Sequence, residues 1–146
     1  METNDPARLD DMLCFAVYST GLAFNRLYKR LLDQLGLTYP QYIAILALAQ
    51  KDGQSVSELG DQLFLESNTL TPLIKRLEAA GLVSRRRDSA DERVVRVDLT
   101  ERGRALLADL QCVPEEVAKA AGITLDQLHA MQDGLAALRT NLRAGE

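Results

Sequence analysis

Residues 67–99 read SNTLTPLIKRLEAAGLVSRRRDSADERVVRVDL, and this stretch decides the fold. Leu70, Leu73, Ile74 and Leu77 recur at helical spacing, so one apolar face runs along a helix over 68–80. Ser67 is placed to cap it, Pro72 lies in its first turns, and Gly81 ends it. LVSRRR (82–87) and VVRVDL (94–99) then read as strands around a polar tip, Asp88 to Arg93. Just upstream, VSELGDQL (56–63) is a short helix, with Ser55 or Ser57 as its cap and a break at Leu65–Glu66. Two helices, a short turn and a hairpin in that order are a helix-turn-helix with a wing.

The flanks are helical. Leu9, Leu13, Ala16, Val17, Phe24, Leu27, Leu31 and Leu35 predict one long helix over 9–35, stopped at Gly36. Thr38 caps an almost wholly apolar helix over 39–50, and Lys51 to Gln54 form a turn. Thr100 caps a helix running to about Cys112, Pro114 kinks or restarts it, and Gly122 breaks it. Thr124 caps the last helix, 125–142. The expected fold is mainly α: a single domain over 1–146 with a winged helix-turn-helix at 38–100. The helices at 9–35 and 101–142 carry more apolar surface than a lone reader needs, and a homodimer is the simplest use of it.

Charge sharpens this. Overall the chain is acidic, with a formal net charge of −4. Residues 67–104 nevertheless hold nine basic and six acidic residues, against eight and fifteen elsewhere. A basic footprint on an acidic body suits phosphate contact at one face. No apolar run is long enough to span a bilayer, and METNDPARLDD lacks the pattern of a signal peptide, so no membrane is expected and the cytoplasm is the default location. Two cysteines and one histidine, His129, do not make a disulfide scaffold or a zinc site, and no metal, cofactor or catalytic constellation is expected.

B-form DNA admits a helix into its major groove. Ser67, Asn68, Thr69 and Thr71 are small and polar at the start of the reading helix, where they reach base edges and phosphates; for Ser67 and Thr69 the competing role is capping. Lys75 and Arg76 reach phosphate or guanine. Arg93, just past the wing tip, is placed for the minor groove, with Asp91 holding its guanidinium; the competing role is a solvated surface ion pair. Arg85, Arg86 and Arg87 alternate faces, so only some of them touch the DNA backbone.

Cys14 and Tyr28 share the first helix fourteen residues apart. That is roughly 20 Å along the axis and a similar side of the helix. They cannot meet in one chain unless the helix breaks, but can across a two-fold axis, with Tyr39 joining them. Tyrosine hydroxyls donate hydrogen bonds that favour a thiolate. On residue chemistry alone, packing as a small hydrophobe remains the commoner role for a cysteine.

The stretch from Gly81 through Arg85, then Arg87 to Arg93, then Leu99 to Gly103 resembles the wing signature of the MarR family of winged helix-turn-helix repressors. The resemblance covers about residues 9–142. Leu13 to Ser19, Tyr28, Leu35 to Tyr42 and Glu66 to Pro72 resemble its organic-hydroperoxide-sensing, OhrR-like branch. That resemblance implies that Cys14 is the sensing thiol, that Tyr28 and Tyr39 bond to it from the partner chain, and that its oxidation releases DNA. Some members carry a resolving cysteine after a Pro-Glu-Glu-like stretch. Here Pro114-Glu115-Glu116 has no cysteine after it, and Cys112 precedes it. Cys112 is a displaced resolving thiol or, the reading we prefer, a core residue. With a core residue there, the oxidised form is a sulfenic acid or a mixed disulfide with a low-molecular-weight thiol.

The expected function is thus a redox-sensing repressor of operator DNA in an oxidative stress response. The alternative is a repressor released by a small aromatic or phenolic ligand, with Cys14 structural. A thiol peroxidase is disfavoured because no histidine or second established active-site cysteine pairs with Cys14. A general DNA-coating protein is disfavoured by the small, asymmetric basic face.

Overall fold

The computed structural model describes residues 6–146. The chain is mainly helical and divides into two compact units, one ending at Gln111 and one running Cys112–Glu146.

The first unit opens with a 3-10 turn, Leu9–Asp11, and then α1, Leu13–Leu32. The expected single helix over 9–35 is therefore broken at Met12, which is extended (φ −99°, ψ 116°), and its last turn is 3-10, Asp33–Leu35. Gly36 takes the left-handed conformation at φ 70°, and Leu37 N–H closes back onto Leu32 O at 3.2 Å. This fits the helix-ending role assigned to the glycine. Of α1 only Leu32 is buried. Leu13, Phe15, Val17, Tyr18, Leu22 and Phe24 stand exposed, so the predicted apolar stripe is not this chain's core.

The core gathers instead around α2, Tyr39–Gln50, which buries Tyr42, Ala44, Ile45, Ala47 and Leu48. Thr38 and Gln41 form a reciprocal capping box at its start. Against it pack α3, Val56–Leu63, and α4, Ser67–Ala79, contributing Leu59, Leu70, Leu73, Ile74 and Leu77. Full burial of such side chains stabilises by about 1.5–3 kcal/mol each. Ser55, not Ser57, caps α3 through Glu58 N–H at 3.0 Å. The turn begins at Phe64, which holds a left-handed φ of 56°.

Three strands form one antiparallel sheet in the order β1-β3-β2: β1 Gln54–Ser55, β2 Val83–Arg87 and β3 Val95–Leu99. The expected turn at 51–54 thus gives way at Gln54 to a strand that pairs Gln54 with Val97 and Ser55 with Arg96. The hairpin itself forms as expected, with Arg86 opposite Arg96. Thr100 caps α5, Glu101–Leu110, and its hydroxyl donates to Gly81 O at 2.6 Å. Gly103 presses α5 onto the wing root: a Cβ there would lie 2.2 Å from Leu82 O. Asp52 fastens the same corner, accepting Leu99 N–H at 2.9 Å and pairing with Arg104.

In the second unit α6, Val113–Ala121, ends at Gly122 (φ 63°), and α7, Leu125–Arg143, begins with a Thr124–Gln127 capping box. Pro114 falls in the first turn of α6, where its missing N–H costs little. The helix before it stops at Leu110 rather than Cys112. Leu125, Met131, Leu135 and Leu142 of α7 are exposed.

Candidate functional site

The reading helix presents the residues assigned to it. Ser67, Asn68, Thr69, Lys75 and Arg76 are exposed and Thr71 is half-buried, while Leu70, Leu73, Ile74 and Leu77 face the core. The capping role of Ser67 is corrected. Glu66 occupies the cap position, with no side-chain cap bond, and Ser67 is the first helical residue. Both Ser67 and Thr69 are thereby left to solvent. Lys75 and Arg76 form no ion pair among the described residues.

Most wing arginines are committed within the chain. Arg85 forks onto Glu78 of α4, with Nε and Nη2 at 3.2 and 3.0 Å from Oε1, and this holds the Glu78 carboxyl below its usual range. Arg86 Nε donates to Asp98 at 2.8 Å, and Arg87 Nη1 to Glu92 O at 2.8 Å. Arg93 differs. Its side chain is 91% exposed, yet Asp91 grips it at 3.1 Å to Nε and 3.3 Å to Nη2. The Arg93 backbone N–H also reaches Asp91 Oδ1 at 3.1 Å. These bonds lower the Asp91 carboxyl's affinity for protons. A guanidinium forked by one carboxylate on an otherwise solvent-exposed arm is suited to entering a groove.

Sequence reasoning missed two wing residues. Asp88 accepts the N–H groups of Ala90 (2.7 Å) and Asp91 (3.2 Å) with one oxygen and pairs Arg96 with the other. Arg96, then these N–H donors, hold the Asp88 carboxyl down from its ordinary 3.8 to about 2. The Asp-Ser-Ala spacing from 88 to 90 is an Asx-turn pattern and was the available signal. Arg96 carried none, because its partner is set by strand register.

A second constellation lies at the junction of α1 and α2. Tyr28, from α1, and Tyr39, the first residue of α2, have ring centroids 4.6 Å apart. Tyr42 lies 5.8 Å from Tyr28 and closes the cluster, and Phe24 flanks it at 6.5 Å. Burial first, then the neighbouring Tyr39 and Tyr42, pushes Tyr28 up to about 12, so its hydroxyl stays a donor at neutral pH. Cys14 is exposed in the first turn of α1. The helix runs unbroken between Cys14 and Tyr28, which keeps them roughly 20 Å apart within a chain. Cys112 is also exposed, so the core role preferred for it does not hold within this chain: it precedes Val113, which takes the buried position. Among the described residues no three metal-ligating side chains gather, and no helix is long and apolar enough to cross a membrane.

Residues 26–110 match the family profile described as Transcriptional regulator SarA/Rot. The chain is 41% identical over 127 residues to the organic hydroperoxide resistance transcriptional regulator of Bacillus subtilis, covering 85% of this chain and 86% of that one. The chain belongs to the MarR family of winged helix-turn-helix regulators. It is also 50% identical over 141 residues to the HTH-type transcriptional regulator TtmR of Methylorubrum extorquens, across 97% of this chain and 72% of TtmR. Reduced AbfR bound to DNA superposes with a TM-score of 0.76 at 33% identity, covering 92% of this chain and 94% of AbfR. AbfR, from Staphylococcus epidermidis, is also known in a disulfide form, which matches at a TM-score of 0.66 and 34% identity. This MarR-family chain is therefore a transcriptional regulator of a DNA-binding, non-enzymatic family, as its wing signature implied.

Proposed function

We propose that this regulator is a redox-sensing repressor: a cytoplasmic homodimer that holds operator DNA while Cys14 is reduced and releases it when an organic hydroperoxide oxidises Cys14. The observation that carries this reading is the pairing of Tyr28 of α1 with Tyr39 of α2, while the Cys14 of the same α1 is out of reach. Two phenol rings clustered together, the Tyr28 hydroxyl held protonated, offer hydrogen-bond donors that the Cys14 of the same chain does not reach. The exposed apolar stripe of α1 supplies a surface on which a second copy brings its Cys14 to that pair. A helix's first turn favours negative charge, and the thiolate is the reactive form of cysteine.

In the reaction the Cys14 thiolate attacks the outer peroxide oxygen. An S–O bond forms, the O–O bond breaks, and the alkoxide leaves and takes a proton to become the alcohol. The sulfur is oxidised to a sulfenic acid and the peroxide is reduced. A low-molecular-weight thiol then displaces hydroxide, which leaves as water, and forms a mixed disulfide. The enlarged group no longer fits between the tyrosines, and the strain passes through α1 and α2 to the reading helices. Emptying an operator requires only a few kcal/mol of differential strain.

The experiment is operator affinity by fluorescence anisotropy before and after cumene hydroperoxide, with reductant added last and intact mass measured in parallel. Parent protein releases and rebinds, whereas Cys14→Ser stays bound. Equal release by Cys14→Ser removes this mechanism.

One observation favours a ligand-released repressor as the second reading. A cavity of about 440 Å³ lies among Leu37, Gln41, Leu77, Leu82, Arg102 and Leu106. Its size suits a small aromatic acid. Release by such an acid under reducing conditions, with Cys14→Ser responding like the parent, would establish it.

A further inference from the structure

We propose that Asp88 and Arg96 form a positioning pair that aims Arg93 at DNA, so that the grip of the wing on its operator depends on two residues that do not themselves touch it. The inference rests on the reading of Arg93 as a DNA contact.

The geometry is a continuous chain of hydrogen bonds. Arg96 is anchored at the far side of the sheet, where Nη1 donates to Gly53 O at 3.0 Å, in the turn before β1. Its Nε pairs with Asp88 at the end of β2. The other Asp88 oxygen accepts Ala90 and Asp91 N–H, which folds the tip back on itself. Asp91, fixed by that bond, in turn accepts the backbone N–H and the guanidinium of Arg93. Each link fixes the next, from the body of the reader to an otherwise solvent-borne side chain.

Register explains why the tie is needed. Arg86 and Arg96 are directly opposite across β2 and β3. Like charges facing each other on a sheet repel. Each is neutralised along a diagonal, Arg86 by Asp98 and Arg96 by Asp88. Loss of the Asp88 carboxylate therefore unties the tip from the sheet and leaves the two opposed arginines with only Asp98 and the more distant Glu58, 4.0 Å from Arg96, as counter-charges, and both effects loosen the wing.

Charge and geometry make opposite demands at Asp88, which makes the pair testable. Asp88→Asn removes a negative charge from a DNA-facing element, so charge alone predicts tighter binding. Positioning predicts weaker binding, by about tenfold, with the salt slope falling by about one as Arg93 disengages. Arg96→Gln, a second variant, is expected to lose affinity to a similar degree. The decisive measurement is a double-mutant cycle with Arg93→Ala by anisotropy on duplex operator. In the Arg93→Ala background Asp88→Asn and Arg96→Gln are expected to cost less than about twofold more. Unchanged or tighter binding by Asp88→Asn overturns the proposal, as does full additivity with Arg93→Ala. Parent-like binding by Arg93→Ala itself overturns the wing-contact reading, and this proposal with it. The three results are distinguishable in one set of titrations.

Discussion

Tyr28 and Tyr39 set their rings 4.6 Å apart, tilted by 49°, although they belong to different helices, so the phenol pair is a direct reporter of how α1 sits on α2. Burial is the larger cause of the raised affinity of Tyr28 for its proton, and the neighbouring phenols add to it. Any change that opens the α1–α2 junction exposes that hydroxyl and moves its titration.

The alkaline limb of stability follows from the same pair. The pKa of Tyr28 is raised in the fold, so its contribution is fully present below about pH 10, the ordinary tyrosine value, and is lost as pH rises through about 12. Chemical denaturation across that window is expected to show the parent losing stability more steeply than Tyr28→Phe. An identical slope for the two proteins would place the hydroxyl in water.

Tyr28→Phe is also expected to fold and to bind operator, yet to respond more slowly to organic hydroperoxide, because the proposed dimer would lose one donor to Cys14. Stopped-flow anisotropy against peroxide concentration measures this. A parent-like response rate would detach the phenol cluster from sensing.

On DNA, Arg93→Ala is expected to weaken operator binding by about 1–3 kcal/mol, and Asp91→Ala by less, since it loosens the same guanidinium without removing it. Lys75→Ala is expected to lower the salt slope by about one through loss of a phosphate contact. Titrations at several salt concentrations separate the two behaviours.

The exposed stripe on α1 calls for a partner surface. Sedimentation at micromolar concentration is expected to give a homodimer for the parent, and Phe15→Asp with Tyr18→Asp is expected to shift it toward monomer. A parent that sediments as a monomer would remove the two-chain sensing site.

Local signals made much of this molecule legible in its sequence. The caps Thr38, Ser55, Thr100 and Thr124 announced four helix starts, and each makes the bond its chemistry implied. Glycines 36, 81 and 122 marked ends and hold positive φ. Non-local features were hidden. The strand Gln54–Ser55 is only two residues long and exists because β3 offers it an edge. Met12 interrupts a pattern whose apolar spacing continues across it, so the periodicity gave no sign of the break. Of the proposed sensing site, Cys14, Tyr28 and Tyr39 are legible only through resemblance, while the wing was legible through turn chemistry. The Asp88–Arg96 tie was not, because a diagonal pair depends on register, which a single sequence does not state. Within this chain Cys112 is exposed where a buried position was preferred, because chemical type alone does not say which neighbour is buried, here Val113.

The contact at Gly103 has a mechanical consequence. With Leu82 O where a side chain would begin, α5 and the base of the wing mesh without backlash. Thr100 and Asp52 pin the same corner from either side. Gly103→Ala must therefore drive a wedge between them, costing about 1–3 kcal/mol of stability and tilting the wing away from its groove. The reading helix meets the wing from its other side, packing on α2 and on β2, where Glu78 takes the Arg85 fork. The wing and the reading helix are thus geared to each other, and a wedge at Gly103 is expected to disturb both.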